Sequence, residues 1–378
     1  MKPLRIMHVT NNYIPYQGGI VSSLIAHQDA LEAAGHHVQL ITLDFIKNSP
    51  LQKNVIRLPA WARFTYYGNP MAVPWRPFYN LSNFIKEYQP DIIHVHHPFL
   101  LGATALKAAK KAQIPVIFTF HTRYQDYLHY IPLPRSLTKP LCLSLVADFC
   151  QSVNGIIAPS EAIKELLESA KINPLITCIP SPVSSFFLQK KMRTMPLKNP
   201  IKLLTVSRLV PEKNINFLIE LMTQLPKDRY HLTIIGYGWQ EETLRSYAYS
   251  THKLSPHHVC FKKVYTKTSL KEAYHAADLF IFASQSETQG LVLAEALASS
   301  CPVIALEADA LKDTIKNGVN GFLVKNQQEM IAIIKRIAHN QSLQNDLKEG
   351  AWRSSFIYSP NAIIERVIDF YHAVLDAS

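Results

Sequence analysis

Glu287 and Glu295 stand eight residues apart in the segment Ser286-Glu287-Thr288-Gln289-Gly290-Leu291-Val292-Leu293-Ala294-Glu295-Ala296. The residues before it, Asp278-Leu279-Phe280-Ile281-Phe282, form a short apolar run that reads as a buried strand. From Gly290 to about Ser299 the pattern is helical, so Glu287 falls on a strand-to-helix loop and Glu295 about a turn and a half into the helix. In an open α/β sheet, ligands collect at the carboxyl ends of strands, where helix N-termini aim their amides outward. Two carboxylates at two levels of such a helix start can accept hydrogen bonds from two sets of hydroxyls on one elongated ligand. The competing reading is a pair of solvated acids, the first favoured by the helix dipole.

Cations occupy a comparable position earlier in the second half. The strand-like Leu203-Leu204-Thr205-Val206 runs into Ser207-Arg208-Leu209-Val210-Pro211-Glu212-Lys213-Asn214, placing Arg208 and Lys213 around a strand-to-helix turn. They suit the neutralisation of a diphosphate, or they are ordinary surface cations. Ile234-Ile235-Gly236-Tyr237-Gly238-Trp239 then gives a Gly-x-Gly turn after a strand, without the third glycine of a dinucleotide fingerprint.

The first half has its own candidates at strand ends. Asn11 to Gln17 lead into Gly18-Gly19-Ile20 and a helix, and paired glycines there allow close backbone approach to a phosphate, though Gly-Gly is also common in turns. His121 follows the apolar strand Val116-Ile117-Phe118-Thr119-Phe120, a better place for a site histidine than a core. His94, His96 and His97 suggest a metal cluster. No further Cys or carboxylate completes a ligand spacing around them, so no metal is expected.

These residues need two sheets to hold them. The 378 residues, 48% hydrophobic, suffice for two cores. Strands are expected at 4–10, 37–43, 91–95, 115–119 and 155–159, then at 201–206, 230–235, 258–261, 278–282, 302–305 and 321–324. Helical patterns between them predict parallel, doubly wound sheets. The basic, proline-bracketed stretch 187–200 reads as a linker, separating a domain over 1–186 from one over 201–357, with a last helix over 358–378. No apolar run is long enough to span a bilayer, and the strand-like Leu4–Val9 start argues against a signal peptide. Five scattered cysteines without a CxxC spacing read as reduced thiols of a cytosolic protein.

The net charge of +11 is uneven. Residues 1–198 hold 20 Lys/Arg against 10 Asp/Glu, while residues 199–378 hold 19 against 18. A one-domain excess points to an anionic partner, nucleic acid or lipid. Nothing resembles an RNA- or single-strand-binding module or a helix-turn-helix, which disfavours nucleic acid.

Together the Glu-x7-Glu pair, the Gly-Gly loop, His121, the Arg-x4-Lys pair and the Gly-x-Gly turn resemble the retaining nucleotide-sugar glycosyltransferases of GT-B architecture. That resemblance implies two Rossmann-like doubly wound α/β domains with a cleft between them, and a C-terminal helix crossing back to the first. It implies that Glu287 meets the donor sugar and Glu295 the ribose, with Gly290 and Leu291 beside them. Arg208 and Lys213 would clamp the diphosphate, His121 would reach the sugar, and Gly18, Gly19, Gly236 and Gly238 would shape the donor loops. His121, Arg208, Lys213 and Glu287 are thus the expected catalytic set, working without metal or cofactor on a UDP-sugar.

The stretch His121-Thr122-Arg123-Tyr124-Gln125-Asp126-Tyr127-Leu128-His129-Tyr130 resembles the subgroup that glucosylates diacylglycerol. Residues 57–88 mix Arg57, Arg63, Arg76 and Lys86 with Trp61, Phe64, Tyr66, Tyr67, Trp75, Phe78, Tyr79 and Phe84. Such a surface suits an anionic bilayer, or it is a core with a solvated rim. The expectation is a peripheral enzyme on the inner face of the membrane, with a soluble acceptor (polysaccharide or sugar phosphate) as the alternative. Three departures stand out: Ser300 in place of the family's helix-end Gly, Pro180-Ser181-Pro182 at the hinge, and Glu307–Leu311 where many members have Gly-Gly.

Overall fold

The computed structural model describes residues 2–16, 18–46, 52–66, 69–74, 81–130, 133–189, 192, 199–263 and 266–378. The chain divides into two units, residues 1–182 with 360–378, and residues 183–359. Most of the expected linker, 190–191 and 193–198, lies outside the described residues. Phe187, expected at its start, is buried in the core of the second unit beside Tyr274.

The first unit carries strands β1 (Arg5–Val9), β2 (His37–Leu43), β3 (Val55–Leu58), β4 (Ala60–Tyr66), β5 (Asn69–Pro74), β6 (Ile92–Val95), β7 (Val116–Thr119), β8 (Gly155–Ala158) and β9 (Leu175–Cys178). Its helices are α1 (Gly19–Ala33), α2 (Ser82–Tyr88), α3 (Leu101–Ala112), α4 (Arg135–Ser152) and α5 (Glu161–Ser169). Seven strands form a parallel sheet in the order β3-β2-β1-β6-β7-β8-β9. Strands β6, β7 and β8 are buried along their whole length, as expected where helices cover both faces of a parallel sheet. Strands β3 and β9 were not foreseen.

Strands β4 and β5 pair with each other as an antiparallel hairpin, Phe64 opposite Met71. Part of the basic and aromatic 57–88 stretch is therefore a β-ribbon. Trp61 and Phe64 are exposed on it, while Arg63 is paired with Asp44 at 2.7 Å. Tyr67, Trp75, Arg76, Phe78 and Tyr79 lie outside the described residues.

The second unit carries β10 (Ile201–Val206), α6 (Ile215–Thr223), β11 (Tyr230–Ile235), α7 (Glu241–Ser246), β12 (Val259–Lys262), α8 (Lys267–Ala276), β13 (Leu279–Phe282), α9 (Leu291–Ala298), β14 (Val303–Leu306), β15 (Gly321–Val324), α10 (Gln327–Ala338) and α11 (Gln341–Ser354). Its six strands lie within a residue or two of where the sequence puts them, in the parallel order β12-β11-β10-β13-β14-β15. In both sheets the order reverses after the first strand, between β1 and β6 and between β10 and β13. That reversal opens a crevice outside the strand ends where a ligand fits.

The last helix, α12 (Pro360–Asp376), belongs to the first unit. Its Ile363, Val367, Tyr371 and Val374 share a core with Ile6 of β1, Ile92 of β6, Ile117 of β7 and Ile157 of β8. A Cβ at Gly155 would stand 2.7 Å from Val374 and 2.9 Å from the Phe370 ring, so the close seat of α12 on β8 requires a glycine there.

Candidate functional site

In the second unit the switch point lies between β10 and β13, and the expected charges cluster there. After β10 the chain makes a single 3₁₀ turn, Pro211–Lys213, and Asn214 turns left-handed (φ 51°) to start α6. The turn aims Lys213 at the loop that follows β13. Its Nζ donates to Glu287 Oε1 at 2.5 Å, with both side chains largely buried. Burial alone would raise the Glu287 carboxyl. The adjacent Lys213 ammonium, a Ser284 hydrogen bond and the field of Arg208 outweigh it and hold the group below the ordinary carboxylate range.

Arg208 pairs with Glu212 at 3.3 Å, and Ser284 Oγ donates to the Glu212 carbonyl at 3.1 Å, tying the β10 turn to the loop after β13. Glu212 and Ser284 were not among the expected site residues. Both are ordinary polar loop residues in sequence, and only the pairing of β10 with β13 brings them together.

Glu295 has a different environment. It is buried on α9 and accepts a 2.9 Å hydrogen bond from Tyr274 Oη of α8. Burial pushes its carboxyl up to about 7, against the opposing pull of Tyr274 and Lys267. The structure thus joins Glu287 to Lys213 but gives Glu295 a separate, aromatic partner.

Helix α9 begins at Gly290, whose φ of 78° is left-handed, and no side chain caps it. By contrast, α8, α10 and α11 of the same unit are capped by Thr266, Asn326 and Asn340. The Leu293 amide donates to the Gly290 carbonyl at 2.9 Å, which leaves the Leu291 and Val292 amides at the start of α9 for an external acceptor. Gly236 and Gly238 serve backbone packing. A Cβ at Gly236 would meet the Ser207 carbonyl at 1.8 Å, and one at Gly238 the Leu209 carbonyl at 2.2 Å. The turn after β11 lies directly on the loop carrying Arg208.

The first unit meets its switch point with imidazoles. His8 of β1, His96 after β6 and His121 after β7 form a hydrogen-bonded line. His8 Nδ1 lies 2.7 Å from His96 Nε2, and His96 Nδ1 lies 2.9 Å from His121 Nε2. His94 stacks on His96 with ring centroids 4.5 Å apart, and is held between Thr119 Oγ1 at 2.7 Å and Tyr371 Oη at 2.6 Å. Burial lowers the His8 imidazole to about 3 and puts His94, His96 and His121 well below the ordinary range, so all four are neutral at pH 7.

A line of neutral imidazoles has a direction. His8 Nε2 is buried and has no hydrogen-bond partner among the described residues. A buried N–H without an acceptor is the costlier orphan, which assigns the His8 proton to Nδ1. His96 then donates from Nδ1 to His121, and His121 carries its own proton on Nδ1.

The ring nitrogens of His8, His94 and His96 lie within 4.8 Å of one another, the densest set of possible metal ligands among the described residues. The 2.7 Å spacing of His8 and His96 is shorter than the roughly 3.3 Å between two nitrogens on one tetrahedral zinc. Both His94 nitrogens are also taken, so this donor set fits a hydrogen-bonded line rather than an ion. His97 stands apart, with Nδ1 facing Thr10 Oγ1 and the Asn11 amide. Gly18 precedes α1, which like α9 has no side-chain cap, and Gly19 opens it.

Two doubly wound units, the second with a largely buried Lys–Glu pair at its switch point, are the GT-B architecture. The chain belongs to the glycosyltransferases. Residues 17–185 match the Glycosyltransferase Family 4 model and residues 189–353 the model of Glycosyl transferases group 1. An alpha-monoglucosyldiacylglycerol synthase of Streptococcus pneumoniae (strain ATCC BAA-255 / R6) is 31% identical over 345 residues, covering 88% of this chain and 77% of that protein. The protein of the same description from Acholeplasma laidlawii is 28% identical, covering 99% and 98%. Among solved structures, Anabaena HepE in complex with UDP superposes with a TM-score of 0.75 at 17% identity, over 98% of this chain and all of that one.

Proposed function

We propose that this glycosyltransferase moves a glucosyl group from UDP-glucose to a hydroxyl of a membrane lipid, diacylglycerol, with retention at the anomeric carbon. The observation that carries the donor half of this reading is the Lys213–Glu287 pair at the switch point of the second sheet, with Arg208 beside it. Lys213 and Arg208 stabilise the negative charge that develops on the departing diphosphate, in place of a metal ion. Glu287 accepts from hydroxyls of the sugar and Glu295 from those of the ribose, and the uncapped start of α9 offers amides to phosphate oxygen. On the first unit, the Gly18–Gly19 amides and the Nδ1–H of His121 are donors to substrate oxygens. Departure of the diphosphate and attack by the lipid hydroxyl occur on the same face of the sugar, and the leaving phosphate takes the hydroxyl proton.

The acceptor half is supported by the descriptions of the two bacterial relatives and by the excess positive charge of the first half. A screen of radiolabelled UDP-glucose, UDP-galactose and GDP-mannose, on vesicles with and without diacylglycerol, tests both halves. Label from UDP-glucose alone should enter the lipid phase, and only when diacylglycerol is present. Label entering lipid from GDP-mannose instead would overturn the donor. Label entering only a water-soluble product would overturn the acceptor.

A further inference from the structure

Leu100 stands at the switch point of the first sheet, on the loop between β6 and α3. Its backbone has φ 51° and ψ −110°, outside the left-handed helical well and in a region that bulky side chains rarely enter. It is the one apolar side chain among the described non-glycine residues with positive φ. Burial of the leucine does not explain this conformation, because the residue is 47% exposed. A single exposed leucine is ordinary on any protein surface. One that is also strained is not.

The strain is braced from both sides. Asn11, on the loop leaving β1, donates from Nδ2 to the Phe99 carbonyl at 3.0 Å and accepts the Leu101 amide on Oδ1 at 3.1 Å. One side-chain amide thus fixes the two peptide groups that flank Leu100. The Leu100 carbonyl accepts twice from Thr104, from its amide at 3.1 Å and from Oγ1 at 3.0 Å. A Cβ at Gly102 would stand 1.7 Å from the His97 carbonyl, so only glycine lets the loop close this tightly before α3. These contacts tie together the loops of β1 and β6, the strands between which the sheet order reverses. Strained residues persist where their surroundings over-determine them, and they gather where a ligand is handled.

Leu100 offers a ligand neither charge nor a side-chain hydrogen bond, only an isobutyl group held out in water. Ile14, on the same loop as Asn11, is also exposed, at 38%. Such side chains recognise an apolar part of a substrate. A nucleotide sugar is polar along its length, whereas diacylglycerol carries ester-linked acyl chains beside its hydroxyl. We propose that Leu100 contacts the acyl-ester portion of the lipid acceptor next to the reacting hydroxyl, and so selects an apolar acceptor over a water-soluble one. The assignment rests on the lipid-acceptor reading above and adds the residue that reads the lipid.

The test is steady-state transfer from UDP-glucose to diacylglycerol in mixed detergent micelles, with thermal unfolding of the same proteins. Leu100→Gly removes the side chain and relaxes the backbone. Its KM for diacylglycerol should rise on the order of tenfold to a hundredfold, the range for one leucine left in water. Its KM for UDP-glucose should stay that of wild type. The variant should melt no lower than wild type, since glycine suits the φ that leucine resists. Leu100→Met keeps an apolar side chain and should retain the wild-type KM for diacylglycerol.

An unchanged diacylglycerol KM in Leu100→Gly would overturn the assignment and leave the acceptor reading standing. A lower melting temperature with both KM values raised would make Leu100 a structural residue, and a Leu100→Met variant as impaired as Leu100→Gly would deny it an apolar contact; either result overturns the assignment. A wild type that glucosylates only water-soluble acceptors would remove the acceptor reading, and the assignment with it.

Discussion

The two sheets end in opposite electrostatic designs. At the switch point of the first, desolvation keeps four histidines neutral, three of which, His8, His96 and His121, hold one another through directional N–H···N contacts while His94 stacks on His96. At the switch point of the second, opposite charges pair, Lys213 with Glu287 and Arg208 with Glu212, and against burial the Lys213 ammonium, helped by Ser284 and Arg208, holds the Glu287 carboxyl below the ordinary range. The same topology therefore offers dipoles on one unit and full charges on the other. Neutral dipoles suit hydroxyl groups such as those of a sugar. On the donor reading proposed above, a diphosphate suits the full charges.

The comparison can be broken most decisively at Lys213. Lys213→Ala removes the ammonium from the leaving group and strands Glu287, so turnover should fall on the order of a hundredfold. Arg208→Ala should cost about tenfold or more. Steady-state kinetics on purified variants checks both, and wild-type rates in the two would end the case for a cationic clamp.

Glu295 sharpens the comparison from within the second unit, because it follows the design of the first: burial, not pairing, sets its state. Lifting a carboxyl from 4.5 to about 7 corresponds to about 3 kcal/mol. Below pH 4.5 both folded and unfolded chains hold this proton, and the group costs nothing. Between pH 4.5 and 7 the unfolded chain releases it while the folded one retains it, so stability falls as pH rises, and above 7 the loss is complete. Urea unfolding at pH 5 and pH 7.5 should show this decline in wild type and its absence in Glu295→Gln. An identical pH slope in the two proteins would mean that Glu295 is ionised throughout.

The smallest effect concerns the imidazole line. In ¹⁵N spectra of selectively labelled histidine, His121 should appear protonated on Nδ1, its signal assigned with His121→Asn. His96→Leu removes the donor to Nε2 and should release the ring to the other tautomer, with activity down about tenfold. In His96→Asn the amide nitrogen replaces Nδ1, so the wild-type tautomer should persist with a smaller loss. A wild-type His121 protonated on Nε2 would reverse the direction of the whole line.

The two designs were unequally legible in the amino-acid sequence. Lys213 and Glu287 sit on loops after strands whose apolar runs are plain, so their type and position together announce a site. His8 lies within an apolar strand and reads as an isolated polar residue. Its connection to His96 and His121 depends on β1, β6 and β7 being neighbours in the sheet, which no local period encodes. Tyr274, the partner of Glu295, was hidden for the same reason, being on a different helix. The hairpin β4–β5 escaped because its prolines and aromatics obscure the alternation by which a strand is recognised. In α4 the inward residues are a sparse set, Thr138, Val146, Phe149 and Cys150, so the exposed repeat of Leu137, Leu141 and Leu145 would suggest the wrong face as the buried one.

The return of α12 to the first unit has a consequence for the order in which this molecule is made. Ile6, Ile92, Ile117 and Ile157 have no complete core until Ile363, Val367 and Tyr371 arrive, and His94 has no phenol to bond before then. All of residues 183–359 leave the ribosome first. The second unit needs no segment from beyond its own residues, while the first waits for α12 with one face of its sheet uncovered. A released chain truncated after Ser359 should therefore protect the second unit from protease while the first is still cut.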